Sequence, residues 1–395
     1  MTITETPRLP ESAGKFVPVQ TRSERPASFA PEDFPQPTGR EVDWKYAPIK
    51  KLAPLFEDAA GDGSVTVEVA GPSEVRTGTL APGEAPRGTG FTPEGRAEAI
   101  ASKYATATHI VIPADASLDA PVYVRVTGAG AQTRDLVHLV LQAESNSTAT
   151  IVVEHSGSAL VSENVEILVE DGANLDVIAI HEWDDDAVHT GAHQAAIGKE
   201  ATLKHTLVTF GGNVVRVNPS LHLNGAGAEG IAKGLYFSDA GQHFEHQVYI
   251  DHAGERTTSD VNYKGALQGD GARAVWIGDV LIRPTAVGTQ SYEQNRNLVL
   301  SNGARADSIP NLEIETGDIA GAGHASATGR FEQEQLFYLM ARGIDELTAR
   351  RLVVHGFLNE IVQSISVPEV QERMRETLER ELEASTEAMM AASAV

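Results

Sequence analysis

A stretch in the middle of the chain concentrates side chains that bind metal ions. His243, Glu245 and His246 lie close together, and Asp251 and His252 follow. If this stretch is a strand, its alternation places His243 and Glu245 on one face and His246 on the other. One face then offers at most two of these local ligands, whereas a zinc site usually needs three or four. We therefore expect partly exposed turn histidines here rather than a metal site.

Three adjacent aspartates at residues 184–186 offer the paired carboxylates that acid–base catalysis needs. Acidic clusters of this kind occur in β-helix enzymes that cleave polysaccharides. A β-helix hydrolase or lyase acting on carbohydrate is therefore one alternative function. Three adjacent aspartates between strands are more often a solvated turn, and the absence of a visible export signal argues further against the enzyme.

Gly225, Gly227 and Gly230 have the G-x-G-x-x-G spacing of a dinucleotide-binding loop. That loop works only where a strand turns into a helix whose N-terminus holds the pyrophosphate. Residues 231–237 have the composition of a strand instead, which predicts a glycine-rich turn. The sequence contains neither G-x-x-x-x-G-K-[ST] nor G-x-S-x-G. We expect no nucleotide to be bound by this chain.

His324 lies among small residues in the segment GAGHAS, residues 321–326. Small neighbours leave an imidazole accessible and allow another backbone or a ligand to approach closely. Neutral imidazole binds iron, copper or zinc. The spacing alone leaves a functional and a structural role for His324 equally open.

The composition excludes several classes of function. The 395 residues include 31 Lys and Arg against 55 Asp and Glu, giving a formal net charge of −24, which disfavours nucleic acid and anionic membranes as partners. The absence of cysteine excludes disulfides, thiol nucleophiles and thiolate-held clusters within this chain. No secretory signal and no apolar run of ~18 residues is visible, so we expect a cytoplasmic location.

The elements that must position these residues fall into four regions. Residues 1–40 hold seven of the 19 prolines and predict a flexible arm. Residues 41–107 predict a mixed, largely helical region broken by short strands such as 64–69, with helices at 49–56 and at 93–104, the second beginning at a Thr92 N-cap. Residues 108–329 carry short β-type runs separated by Gly, Asn, Asp and Ser turns, with no helical pattern between them.

Residues 330–395 predict a helical module. The pattern indicates helices at 331–343, ending at Gly343, at 345–363, and at 368–384.

A weak repeat favours one all-β fold over another. Alanine follows a turn just before a strand at intervals of 24, 28, 27, 44 and 32 residues, at these positions: Ala149, Ala173, Ala201, Ala228, Ala272 and Ala304. Repeats of this length are typical of stacked units that share a core. We interpret the 44-residue interval as two coils of 22. A β-solenoid is favoured, and a β-sandwich with alanines at turns by chance remains the alternative.

Several ordered motifs resemble the SufB/SufD family of iron–sulfur assembly proteins. They are DWKY (43–46), QSYEQNRNLVLS (290–301), SIPNLEI (308–314), GHASATG (323–329), EQLFYL (334–339) and RGI (342–344). The match spans roughly residues 40–365. The Trp-Lys-Tyr motif and the absence of cysteine favour the SufD over the SufB branch. The sequence departs from the family at one motif, which is often C-x-H-G-A-[ST]. Here Ala322 stands at the cysteine position and Ala325 at the position of the glycine after the histidine.

The resemblance implies a right-handed parallel β-helix core between N- and C-terminal helical regions. It implies a non-enzymatic scaffold subunit that pairs with SufB through the β-helix, docks the SufC ATPase through its C-terminal helices, and shares a transient iron–sulfur cluster. His324 falls on the histidine implicated at the SufB interface, as a possible cluster or iron ligand. We name as candidate partner-binding residues Phe337, Tyr338, Arg342, Gly343 and Phe357. A homodimer without SufB is also possible on this resemblance.

Overall fold

Most of the chain is built from short strands that wind into stacked coils. The computed structural model describes residues 26–330 and 333–393. The strands are β1 (Val65–Ala70), β2 (Arg76–Leu80), β3 (Ala107–Ile112), β4 (Val122–Ala143), β5 (Thr148–Val169), β6 (Asn174–Trp183), β7 (Val188–Ile197), β8 (Thr202–Thr209), β9 (Val214–Leu223), β10 (Glu229–Ser238), β11 (His243–His252), β12 (Thr258–Leu267), β13 (Arg273–Ile282), β14 (Gln290–Val299), β15 (Arg305–Ile314) and β16 (Gly321–Arg330). The α-helices are α1 (Ile49–Leu52), α2 (Arg96–Tyr104), α3 (Gln333–Met340), α4 (Glu346–Gln363) and α5 (Pro368–Ser393).

From β5 onward, each strand pairs with the strand two places along the chain. The strand order is β15-β13-β11-β9-β7-β5-β6-β8-β10-β12-β14-β16, and these pairs are parallel. The long strand β5 belongs to both halves, because its first part pairs with β6 and its second with β7. This is a two-walled parallel β-solenoid with an odd-numbered and an even-numbered wall. The predicted mainly β fold, with helices before and after a parallel β-helix, is confirmed.

Glycines allow the chain to bend at the corner of the first coils. Gly157 has φ +81°, and a side chain there would meet the Gly128 carbonyl oxygen at 2.3 Å. Only glycine adopts this conformation without strain while the next coil approaches so closely.

Residues that pair in register on neighbouring strands lie one coil apart in sequence. The difference between their residue numbers is therefore the length of that coil. Thr148 pairs with Asn174 in an early coil, and Thr258 pairs with Gln290 in a late one. Both coils are longer than 22 residues, so reading the 44-residue alanine interval as two coils of 22 is wrong. Ala228 precedes β10 of the even wall, whereas Ala272 precedes β13 of the odd wall.

The space between the two walls, the lumen, is filled by side chains stacked in register. Val122, Ile151 and Val177 occupy successive rungs and are fully buried. β-branched residues buried on both faces are typical of covered parallel sheets. These three residues begin a column of in-register side chains on the even wall, and the last two members of this column are polar. In order, the column consists of Val122, Ile151, Val177, His205, Ala232, Val261, Glu293 and His324.

The C-terminal helices cover the outer face of the even wall. Leu358 of α4 and Met374 of α5 are fully buried in one apolar cluster with Ile178 and Phe237 of the wall. The predicted second helix is confirmed within a residue: Asp345 caps α4 by accepting a hydrogen bond from the Thr348 N–H at 3.0 Å. No helix in residues 26–330 and 333–393 is both long and apolar enough to span a bilayer.

The N-terminal region covers the odd wall and differs from its prediction. The expected short strand at 64–69 is confirmed as β1, which pairs antiparallel with β4. A second strand, β2, pairs antiparallel with β3, so the region is less helical than expected. Helix α2 begins at Arg96 after Gly95, not at a Thr92 cap. The side-chain amide of Gln194 accepts a hydrogen bond from the Thr92 N–H and donates one to the Thr92 carbonyl oxygen, which keeps Thr92 outside the helix.

The predicted N-terminal arm lies partly outside the described residues, which begin at residue 26. The part that is described packs against the rest of the chain. Pro31 and Phe34 are buried, and their carbonyl oxygens accept hydrogen bonds from Arg96 at 2.7 and 3.2 Å. Residues 31–34 are therefore not a free arm, because the arginine satisfies the carbonyls of this proline-rich segment.

Candidate functional site

The solenoid ends at an open rung formed by β15 and β16. These two strands are the last in the strand order, and each pairs with a neighbour on one side only within the described chain. From residue 324 to the end of β16 every residue is exposed. The lumen-facing side chains of this rung therefore meet solvent where those of earlier rungs meet another coil.

His324 sits on this open rung directly above Glu293 of β14. The two residues are in-register partners, with Nδ1 of His324 3.8 Å from Oε1 of Glu293. The His324 side chain is 43 % exposed and that of Glu293 only 1 %. Neither Glu293 oxygen has a hydrogen-bond partner in the described part of the chain. A buried carboxyl without a partner costs about 1–3 kcal/mol, so its position below an accessible imidazole calls for an explanation.

The surroundings of Glu293 set its ionisation. Burial, and then the negative charge of Asp279, raise the pKa of the Glu293 carboxyl to about 8. Gly278 makes room for this carboxyl, since a side chain there would meet Oε2 of Glu293 at 2.5 Å and the Trp276 ring at 2.2 Å. A cation bound at His324 would stabilise the ionised carboxylate. Imidazole and carboxylate are ligands for iron and zinc, and the open side leaves room for ligands from elsewhere.

The histidine-rich stretch on β11 is buried rather than partly exposed. His243 Nε2 lies 3.3 Å from Glu245, whose carboxylate is held by Arg216 at 3.1 Å. His246 faces the other way and contacts the Thr209 hydroxyl at 3.1 Å. The prediction of partial exposure is wrong because one face of this strand lines the packed lumen and the other is covered by the N-terminal region.

The acidic residues 184–186 lie in an exposed turn between β6 and β7. Asp186 accepts a hydrogen bond from the Ser158 hydroxyl at 2.7 Å, and Asp185 approaches the Gln242 amide at 3.4 Å. These contacts are those of a solvated turn. The segment from Gly225 to Gly230 is a turn that leads into strand β10, as predicted from the sequence.

The C-terminal candidate residues divide into two groups. Phe337 and Tyr338 of α3 are 74 % and 58 % exposed, and the Arg342 guanidinium lies 4.7 Å from the Tyr338 ring centre. Gly343 ends this segment with φ +86°. Phe357 instead packs partly into the cluster that joins α4 to the even wall, with Lys264 Nζ 5.1 Å from its ring.

Sequence reasoning missed a buried group of histidines inside the first coils. One ring nitrogen from each of His155, His181 and His189 lies within 4.8 Å of the other two, and Glu163 contacts His155 at 2.9 Å. A signal existed, because His155 and His181 are in-register partners and are therefore separated in sequence by the length of one coil. Local spacing does not show which residues share a rung, so this pair was not recognised.

Known proteins resemble this chain over most of its length. Residues 125–357 match the family described as "SUF system FeS cluster assembly, SufBD core domain". An iron–sulfur cluster assembly SufBD family protein of Mycobacterium bovis is 47 % identical over 365 residues, covering 90 % of this chain and 92 % of that protein. A Mycobacterium leprae protein of the same description is 46 % identical over 364 residues, covering 90 % and 93 %. The iron–sulfur cluster assembly protein SufD of Bacillus subtilis is 26 % identical over 280 residues, covering 69 % and 63 %.

The matched region includes the whole solenoid from β5 to the open rung, together with α3 and most of α4. The Mycobacterium bovis protein is identical at nearly half of the aligned positions, and the alignment covers about nine tenths of both chains. With its cysteine-free parallel solenoid and the histidine on its last rung, this chain belongs to the SufBD family of SUF-system iron–sulfur cluster assembly proteins.

Proposed function

We propose that this chain is the SufD-type subunit of a SufB–SufC–SufD complex, acting in the cytoplasm as a scaffold rather than as an enzyme. The observation that supports this most directly is the open rung, where His324 lies above the unpartnered carboxyl of Glu293. A nascent iron–sulfur cluster is the cargo of such a complex. The carbohydrate-cleaving alternative gains no support from the family or from the solvated turn at 184–186.

Pairing with SufB at the open rung follows from the physics of sheet edges. An exposed strand such as β16 offers unpaired backbone donors and acceptors, which is a liability unless another chain covers it. A second solenoid of the same family has matching strands and would extend both walls. In isolation the same edge favours a homodimer.

The ligands at this interface would come from both chains. Iron–sulfur clusters are held mainly by thiolates, and this chain has none. It would contribute the His324 imidazole, with Glu293 as a second oxygen ligand or as a charge that balances the cation. SufB would contribute the thiolates.

The SufC ATPase would dock on the exposed side of α3. Phe337, Tyr338 and Arg342 form an aromatic and cationic surface of the type that dominates protein interfaces. Phe357 has a different role in this proposal, because it holds α4 against the solenoid. Its effect on SufC binding would be indirect.

Coexpression with SufB and SufC tests the proposal. We expect a ternary complex, and we expect His324→Ala and Glu293→Gln to leave it assembled while lowering its iron and sulfide content after anaerobic reconstitution. Tyr292→Ala is the matched control, since this neighbour of Glu293 points outward and is 45 % exposed. A chain that remains alone in the presence of both partners, or that assembles a stoichiometric cluster by itself, would overturn the proposal.

A further inference from the structure

The buried histidine group inside the first coils is distant in the fold from the open rung. His155 lies on β5 and His181 on β6, while His189 lies on β7, and all three are fully buried. Glu163 of β5 is 1 % exposed and faces the same space. These side chains come from both walls, so they meet across the lumen. Proteins rarely bury this many titratable groups together without a ligand or a charge partner.

The hydrogen bonds of His155 determine where its lone pair points. Its Nδ1 lies 3.0 Å from the carbonyl oxygen of Ile180, which can only accept, so Nδ1 carries the hydrogen. In the neutral ring Nε2 then presents a lone pair to the Glu163 carboxylate at 2.9 Å. Two acceptors do not approach so closely unless a proton or a metal cation lies between them. A backbone carbonyl that orients the other ring nitrogen is also typical of a metal-binding histidine.

His181 has coordinating capacity that nothing in the described chain uses. Neither ring nitrogen has a hydrogen-bond partner among the described residues, although the ring is completely buried. The ring stacks on His155 with centres 4.1 Å apart and planes 8° apart, and it meets the edge of the His189 ring with centres 4.8 Å apart. A neutral imidazole at this position retains a lone pair that no described group uses.

His189 plays a different part from His155 and His181. The Trp183 indole N–H, which can only donate, lies 3.0 Å from Nδ1 of His189. Nε2 of a neutral His189 therefore carries the hydrogen and points toward Glu163 at 3.5 Å. Trp183 therefore holds the His189 ring beside the carboxylate, although its Nε2 makes no hydrogen bond within the described residues. Nε2 of His193 lies 3.8 Å from the same oxygen and completes the surroundings of the carboxylate.

We infer that His155, His181 and Glu163 form a buried site for one divalent transition-metal ion of the iron or zinc type. Two imidazoles and one carboxylate are a recurrent ligand set for Fe²⁺ and Zn²⁺, with the remaining positions taken by water. Ligand atoms on one such ion lie about 3 Å apart, which fits the spacing of His155 and Glu163. His181 would tilt out of its stack to complete the set. Binding would displace the proton between His155 and Glu163 into solvent.

Cobalt binding to the tag-free, full-length chain tests this site. After refolding in the presence of the ion, we expect about one Co²⁺ bound per chain. The visible absorption spectrum of the bound Co²⁺ should be that of an ion with nitrogen and oxygen ligands. His181→Gln and Glu163→Gln should each weaken binding by at least about tenfold. His324→Ala should bind normally, which separates this site from the open rung. His252→Gln is the matched control, since His252 is fully buried but has hydrogen-bond contacts at both nitrogens, with Thr257 and Ser259.

A second measurement does not depend on how well the ligand variants fold. The Trp183 ring centre is 5.4 Å from that of His155, so bound Co²⁺ should quench its fluorescence, and Trp183→Phe should remove the quenched component. A wild-type chain that takes up no ion and shows no quenching would overturn the inference. Binding of wild-type strength in both ligand variants would also overturn it. Neither result would bear on partner binding, so this inference and the proposed function fail separately.

Discussion

The two ends of the solenoid place the same pair of groups in opposite surroundings. In the first coils, His155 meets Glu163 at 2.9 Å, and both are closed off by further coils and by the N-terminal region. On the last rung, His324 meets Glu293 at 3.8 Å, and nothing in the described chain covers the histidine. The difference shows that one repeated unit produces both a sealed interior and an accessible surface. Whether another coil lies on top decides which of the two results.

The electrostatics of the two carboxyls differ in the same way. Burial alone would raise the pKa of Glu163, but the charge and hydrogen bonding of the surrounding histidines, His155 first, hold it well below its ordinary value. Glu293 has no such donors among the described residues, and burial with Asp279 nearby raises its pKa to about 8. The interior carboxylate therefore has charge and hydrogen-bond partners within this chain. The carboxyl at the open end has no hydrogen-bond partner among the described residues.

The largest effect should come from the covered wall. Leu358→Ala removes a fully buried side chain between α4 and the even wall, and should lower the free energy of unfolding by about 2–5 kcal/mol. Leu352→Ala on the same helix is the control, because Leu352 is 50 % exposed and the change should stay within about 0.5 kcal/mol. Urea unfolding measures both. Equal losses in the two variants would show that α4 is not held by its buried face.

Glu293→Gln should stabilise the protein in a pH-dependent way. The unfolded chain ionises Glu293 near pH 4.5, whereas the folded chain does so at about 8, so stability falls as pH rises through that window. The variant lacks this loss and should be more stable by about 1–3 kcal/mol at neutral pH, but equal to wild type near pH 4.5.

The measurement is a comparison of urea midpoints of the two proteins across pH. The pKa of Glu381 is also raised, to about 7, by burial and by Asp239 and Asp185, but Glu381 titrates in both proteins and cancels in the difference. A constant difference at every pH would show that Glu293 is not a buried, unpartnered acid in solution.

The smallest effect on stability belongs to the exposed helix α3. The double variant Phe337→Ala, Tyr338→Ala should change the free energy of unfolding by less than about 0.5 kcal/mol, since both rings are largely exposed. We expect it to lose SufC in copurification while keeping SufB. Tyr104→Ala, an exposed aromatic on α2, should keep both partners. Retention of SufC by the double variant would assign the docking surface elsewhere.

The sequence predicted the architecture better than the interior. Strand-like runs without intervening helices identified the solenoid, and apolar periodicity located α4, because these patterns are local. The group around Glu163 depends on coil length and on which wall each strand joins, and neither is visible from local spacing. His324 was identified by its small neighbours, but Glu293 was not, because one coil separates them in sequence and only the ladder joins them.

The growing register step along the solenoid has a consequence for how such proteins diversify. The step from Thr258 to its partner Gln290 is longer than the step from Thr148 to its partner Asn174, yet the strands β9 to β16 are all equal in length. All the added length therefore resides in the corners. Insertions and deletions at these bends can change the corners without displacing a backbone pair in the walls. The corners of such a fold can therefore vary in length while the strands keep their register.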